Sequence, residues 1–273
     1  MSLTVPTFWR AAALPFIEAR SILDGRKVCY ARHAHAHFSI GAITSGQCTY
    51  ISGDQQQVIS EGCVVLMNPQ VVHACNPIDG EPWSYRMFYV DCQWLAAIQA
   101  QLDSSAAHCF QPYKPILTHS QQLFSALNQL YMQLTDAALS TAQKHTAAEQ
   151  FFVQMHGELT ANEPGAELTS AVHAKLQCAA DYIQAHCAEP LSLEQICSVA
   201  RLSRSYLIRA FAQHFGMTPH AYLTNQRVQL AQRLLQRGEV IAEAALAAGF
   251  ADQAHLQRTF KQHLAATPGQ YRG

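Results

Sequence analysis

The stretch IAEAALAAGFADQAHLQRTFKQHLAATPGQYR, residues 241–272, decides the fold of the C-terminal part of the chain. It reads as a short helix over 240–247, a tight turn around Gly249, and a second helix whose Leu256 and Phe260 share one face at i and i+4. The pattern occurs twice. Leu207, Arg209, Phe211, Thr218, Pro219 and Tyr222 return as Leu256, Arg258, Phe260, Thr267, Pro268 and Tyr271, every pair 49 residues apart. Six matches at one offset imply duplication of a helix-turn-helix unit, and the second helix of such a unit commonly enters the DNA major groove.

Working outward, the first unit begins at Ser192, with Gln195 three residues on as its capping-box partner and a helix over 193–200. Ser203 starts its second helix and Gly216 ends it. Thr218-Pro219 then opens a longer helix with Leu223, Leu230, Ala231 and Leu234 on one face. Residues 170–273 hold 10 Lys/Arg against 6 Asp/Glu, while residues 1–169 hold 8 against 13, so a global charge of −1 hides a basic C-terminal part that can face a polyanion. A helical bundle that binds protein, or simply packs, is the alternative; it predicts no salt-dependent DNA affinity.

Upstream the period changes. Val28–Arg32, Phe38–Ile43, Cys48–Ser52, Gln57–Ser60, Cys63–Met67 and Tyr85–Val90 are short segments rich in Val, Ile, Tyr and Phe, and most are separated by Gly, Pro, Asp or Asn. They predict a small barrel or sandwich. Helical patterns follow at 93–102, 120–134 and 141–160, and Ala161-Asn-Glu-Pro-Gly165 breaks them as a linker. No apolar run approaches a membrane span, and Ala11–Ile17, interrupted by Pro15, makes a poor secretory signal. Nine cysteines without a Cys-x-x-Cys pair fit buried thiols in a reducing compartment, so a cytoplasmic location is expected.

The C-terminal residues, "LSLEQICSVARLSRSYLIRAFAQHFGMTPHAYL" and the 241–272 stretch above all, resemble the DNA-binding domain of the AraC/XylS family of bacterial transcription regulators over about 100 residues. The resemblance implies two helix-turn-helix units, about 192–215 and 240–264, joined by a long helix over 219–237. Their recognition helices, about 204–215 and 252–264, would enter major-groove segments roughly one turn, about 34 Å, apart. The family often has glycine in the first turn where this chain has Arg201; the second copy keeps Gly249. With Leu207, Phe211, Leu256 and Phe260 in the core, Ser205, Ile208, Arg209, Gln253, Gln257 and Arg258 face outward as candidate base readers. Arg204, Arg227 and Lys261 are candidate phosphate contacts, which fix register without reading sequence.

The N-terminal part resembles the family's cupin-like effector domain, with His33-x-His35 at the first cupin motif position and Gly62, Pro69, His73 and Asn76 at the second. Metal-binding cupins add a glutamate where this chain has Ser39 and Ile40. His33, His35 and His73 can still form a three-imidazole site. The three histidines of "RHAHAHF" (32–38) cannot share one ion along a strand, because the outer Cα atoms would lie roughly 13 Å apart. The reading adopted is therefore an organic effector without metal or other cofactor, lined by Tyr30, His33, His35, His73, Trp83 and Arg86. Arg86 is a carboxylate fork in this reading, or else pairs with Asp91 at the barrel rim.

The whole then reads as an α+β multidomain regulator, not an enzyme: a cupin-like β-barrel over 1–92, a helical dimerisation segment over 93–160, a linker over 161–169, and an all-α double helix-turn-helix domain over 170–273. The partners implied are promoter DNA, a small-molecule effector such as an amino acid or related metabolite, a second copy of the chain, and RNA polymerase. A metal-dependent cupin enzyme or metal sensor with a DNA-binding appendage is the rival reading.

Overall fold

Strand parity explains the architecture. The computed structural model describes residues 5–102, 109–159 and 171–272; the expected linker over 161–169 lies outside the described residues. Its N-terminal part builds a six-stranded antiparallel sheet in the order β1 (Thr7–Trp9), β2 (Ile17–Ile22), β8 (Ser84–Val90), β3 (Phe38–Ser45), β6 (Val64–Met67), β9 (Leu117–Thr118). A three-stranded sheet, β5 (Gln55–Ser60), β4 (Gln47–Ser52), β7 (His73–Pro77), faces it. Phe38, Ile40, Ala42 and Ile43 make β3 too apolar for a half-exposed strand; Phe38, Ile40 and Ala42 pack under helices while Ile43 packs inside the barrel. Successive side chains alternate faces, so this strand is buried on both.

The helices α1 (Cys92–Leu102), α2 (Gln121–Thr135) and α3 (Thr141–Leu159) cover the outer face of the large sheet. Leu123, Leu127, Leu130 and Leu134 recur along one stripe of α2 and are all fully buried. Asp91 accepts hydrogen bonds from the Gln93 and Trp94 amides at the start of α1, so it caps that helix and does not pair with Arg86. Inside the barrel sit Ile22, Tyr30, Tyr50, Val65, Met67, Trp83 and Tyr85.

The C-terminal part is helical: α4 (Ala171–Ala185), α5 (Leu193–Ala200), α6 (Arg204–Phe215), α7 (Pro219–Gln236), α8 (Ile241–Ala247), α9 (Gln253–Leu264) and α10 (Pro268–Arg272). The Ser192–Gln195 capping box forms in full, Thr218 and Asp252 cap α7 and α9, and Ser203 precedes α6 without a side-chain cap bond. Each unit has its own core. Ile196, Ala200, Leu207, Phe211 and Tyr222 pack with α4, whereas Ala244, Ala248, Leu256, Phe260 and Tyr271 form a second cluster; α7 contributes to both.

The two turns solve one conformational problem differently. Gly249 has φ +81°, and a Cβ there would stand 2.8 Å from the Ala188 carbonyl oxygen, so glycine is required twice over. Arg201 occupies the matching turn at φ 51°, ψ 47°, donating its amide to Cys197 and Ser198. A left-handed arginine there costs roughly 1–2 kcal/mol, and its long side chain, exposed to solvent, meets no steric bar.

Candidate nucleic-acid interface and effector pocket

On α6, Leu207 and Phe211 are buried, and Ser205, Ile208 and Arg209 are exposed. On α9, Leu256 and Phe260 are buried, and Gln253, Gln257, Arg258 and Lys261 are exposed. Helical periodicity thus leaves one polar face of each second helix open to solvent. Arg204 is also exposed and lies 3.4 Å from Glu194 across the first turn. Arg227 differs. Its Nε donates to the Cys187 carbonyl at 2.8 Å and one Nη to the Glu189 carbonyl at 2.9 Å, so its guanidinium ties α7 to the chain leaving α4. A phosphate contact does not fit a fork already engaged on two carbonyls. Arg227→Ala is expected to cost about 1–3 kcal/mol of stability, because two acceptors lose a charged donor, and to leave the salt slope of DNA binding unchanged. Thermal melts with a salt titration check this; a slope reduced by about one would return Arg227 to the phosphate contacts.

The sensor histidines come together from a strand and a loop: His73 opens β7, while His33 and His35 lie outside the strands. Residues 31–37 form an irregular crossing held by one antiparallel bridge, His33 to His73. The ring centres of His33 and His73 are 4.5 Å apart, those of His35 and His73 4.7 Å, and those of His33 and His35 6.3 Å. Each Nδ1 faces a backbone carbonyl: His33 that of Ala31 at 2.9 Å, His35 that of His37 at 2.8 Å, His73 that of Val71 at 2.8 Å. A carbonyl only accepts, so Nδ1 carries the proton and Nε2 keeps its lone pair. Burial holds all three well below the usual histidine range, His73 down to about 4, and neighbouring histidines add to the effect at His33 and His35. Among the described residues, no group of three or more His, Cys, Asp or Glu has an arrangement that holds a metal ion.

Tyr30, His33, His73 and Trp83 line the barrel interior, but the space there is only about 30 Å³, room for a water or two. Within that lining the Trp83 indole donates to the Gly25 carbonyl at 3.0 Å, and the Tyr30 and Tyr85 hydroxyls meet at 2.6 Å. The larger space, about 630 Å³, is a cleft on the other side of the histidines, where His33 and His35 face α7, α9 and α10. Arg86 is absent from both. It lies on the face of β8 that carries Phe88 and Val90, so parity sends it under the helices, where it donates to Asn128 Oδ1 at 2.7 Å and packs over Tyr131. Arg20 on β2 is the guanidinium that reaches the histidine side, with His263 and Tyr89 nearby.

The two parts of the chain meet at this cleft. Asn225 on α7 accepts from the Ala34 amide at 3.3 Å and donates to its carbonyl at 3.0 Å, and Gln229 donates to the same carbonyl at 3.0 Å. The Ala31 amide donates to the Gln262 carbonyl at 2.8 Å, and Ala34 and Val72 enter the apolar cluster of the first helix-turn-helix unit. Sequence reasoning missed Asn225 and Gln229. Their i, i+4 spacing among the leucines of α7 was the available signal.

Residues 19–154 match the family model described as the AraC-like ligand binding domain, and residues 196–273 match a helix-turn-helix domain model. The chain belongs to the AraC family of transcription regulators. Among its relatives, the HTH-type regulator YbfI of Bacillus subtilis is 27% identical over 83% of this chain and 81% of its own. The HTH-type transcriptional activator RhaR of Klebsiella pneumoniae is 24% identical over 89% of this chain and 87% of its own. The solved structure of apo ToxT from Vibrio cholerae shares the fold, with a TM-score of 0.57 over 94% of this chain and 96% of its own at 14% identity. As an AraC-family member the protein is a DNA-binding regulator with an N-terminal ligand-binding domain, not an enzyme. No helix among the described residues is long and apolar enough to cross a membrane.

Acid should loosen this regulator. His73 is neutral in the folded chain, with a folded value of about 4 against 6.5 unfolded, so the unfolded chain binds more protons between those limits. Its contribution is complete above pH 6.5 and is lost as pH falls toward 4, at up to about 1.4 kcal/mol per unit. Melts between pH 7 and 5 should show stability falling, and His73→Asn, which keeps the donor to Val71, should flatten the slope. A variant as acid-sensitive as the parent would place the titrating groups elsewhere.

Proposed function

We propose that this AraC-family protein is a one-component regulator in which a small molecule bound beside the histidine cluster biases the placement of the DNA-binding helices. Ser205, Ile208 and Arg209 on α6 and Gln253, Gln257 and Arg258 on α9 read base edges, while Arg204 and Lys261 contact phosphates. Residues 1–92 with the helices of 93–160 form the sensor, 170–273 the DNA-binding domain, and the helical segment pairs two copies of the chain. A second bound copy would add avidity through linked half-sites. RNA polymerase is the proposed partner on the promoter, and the cytoplasm the place of action.

One observation carries the effector reading: the loop that holds His33 and His35 is the same loop clamped through Ala31 and Ala34 to α9 and α7. A ligand can shift the regulator only by binding one arrangement of that clamp better than another. Coupling is reciprocal, so DNA must then act back on the loop. Hydrogen exchange of the full chain, with and without its selected DNA, tests this at the Ala31 and Ala34 amides. A DNA-dependent change in their protection is expected; identical exchange in both states would sever sensor from DNA domain and sink the reading.

A further inference from the structure

The duplication puts Gly216 and Ala265 at one position, 49 residues apart, at the end of the second helix of each unit. Both residues are left-handed: Gly216 closes α6 at φ 70°, ψ 3°, and Ala265 closes α9 at φ 54°, ψ 15°. Glycine adopts that conformation freely, whereas the alanine Cβ makes it costly. The first unit thus has the unstrained residue and the second the strained one. The surroundings account for the difference. A Cβ at Gly216 would stand 3.2 Å from the Val72 Cβ, so a methyl there crowds the sensor. Ala265 instead packs against the apolar cluster of the barrel.

Two carbonyls in the last turn of α9 find their donors in the sensor. The Ala31 amide donates to Gln262 at 2.8 Å, and the Arg20 guanidinium donates to Leu264. Carbonyls at a helix end have no intrahelical partner, and a cation suits the negative end of the helix dipole. Arg20 is 3% exposed and is steadied by the Tyr30 and Tyr89 hydroxyls at 2.8 and 3.4 Å. The Ala265 amide donates back to the Lys261 carbonyl at 2.9 Å. The turn that the sensor closes is therefore the turn that carries Lys261.

We infer that the sensor supplies the C-terminal cap of α9, and that Arg20 and Ala265 are positioning residues for DNA reading by the second unit. Ala265 trades an easy backbone conformation for a methyl that docks on the barrel, while Arg20 and Ala31 close the open carbonyls. When the sensor withdraws, the last turn of α9 keeps a strained residue and loses two donors, and it frays. Lys261 then no longer holds α9 in register on the phosphates. Because α6 ends in glycine it needs no such support, so the sensor's hold falls on one of the two DNA elements. The inference rests on the regulator reading above and names the contact through which the sensor acts.

The test uses the full chain carrying Arg20→Gln or, separately, Ala265→Asn. Asparagine tolerates the left-handed region, so the second variant keeps the backbone turn and brings a larger, polar group to the apolar seat. Hydrogen exchange should become several-fold faster at the amides of residues 31 and 265 and stay unchanged through α6. Selection of bound DNA should then show the element read by α9 blurred and the element read by α6 as sharp as in the wild type. A folded Ala265→Asn protein with both elements sharp overturns the inference, even where Arg20→Gln fails to fold. Equal blurring of both elements overturns it as well, since that is the mark of general loosening. The wild type separates the failures: if it enriches no sequence, the inference falls together with the regulator reading, and if it selects both elements while the variants match it, only the inference is lost.

Discussion

Phe260→Ala is expected to lower the stability of the second helix-turn-helix unit by about 3–5 kcal/mol, the range for emptying a buried phenylalanine site. Phe260 is fully buried, meets Tyr271 edge-on with ring centres 5.3 Å apart, and packs among Leu256, Ala244 and Ala248. Small alanines around it cannot close the space. Because Phe211 belongs to a separate cluster with Tyr222 and Phe215, the loss should be local. Hydrogen exchange should show α8 and α9 unprotected while α5 and α6 keep most of their protection, and DNA binding should fall to a non-specific level. Simultaneous loss of protection in both units would mean that α7 makes them one cooperative body.

The C-terminal half was legible because each of its rules is local. The i, i+4 pairs Leu207/Phe211 and Leu256/Phe260 set the buried face, the caps at Ser192 and Thr218-Pro219 set the starts, and helix bounds followed within a residue or two. What periodicity could not show is which polar side chain meets another element. Arg227 looks like any basic residue on a long helix until the chain after α4 is laid beside it.

The sensor was less legible, for long-range reasons. Val28–Arg32 has a strand's composition, yet it is irregular, since the Tyr30 amide and carbonyl are satisfied by the Asn76 side chain at 2.6 and 3.1 Å and the Ala31 amide by Gln262. Conversely, β2 carries Glu18, Arg20 and Ser21 among Ile17, Ala19 and Ile22, and its pairing with β8 turns Arg20 inward and Ser21 outward. The same parity on β8 takes Arg86 away from the pocket. His33 and His35 do gather with His73 of β7, but through a crossing loop; His37 stays out of the cluster and is exposed. The cleft itself exists only where two distant parts of the chain meet, so no single segment announces it.

Loss of both exposed arginines should have the second large effect. Arg209 and Arg258 stand at equivalent places on α6 and α9 of the duplicated unit, and their outward side chains can grip guanine O6 and N7. Each Arg→Ala change should cost about 1–3 kcal/mol at the preferred site and relax preference at one or two base positions. The two positions share no contact, so the double variant should lose about 2–6 kcal/mol, close to additively. Lys261→Ala should instead weaken all sequences alike and reduce the salt slope by about one. Competition binding against single-base substitutions of the site measures the difference; equal, sequence-independent losses from all three would reject the division into base readers and phosphate contacts.

The most direct measurement is selection of bound sequences from a random DNA pool by the full chain and by its Arg209→Ala and Arg258→Ala variants, under one salt condition. The wild type should enrich two short elements about one helical turn apart, and each variant should blur one element while keeping the other. Enrichment of no sequence by folded protein, or an unchanged pair of elements in both variants, would contradict DNA reading by the exposed faces of α6 and α9.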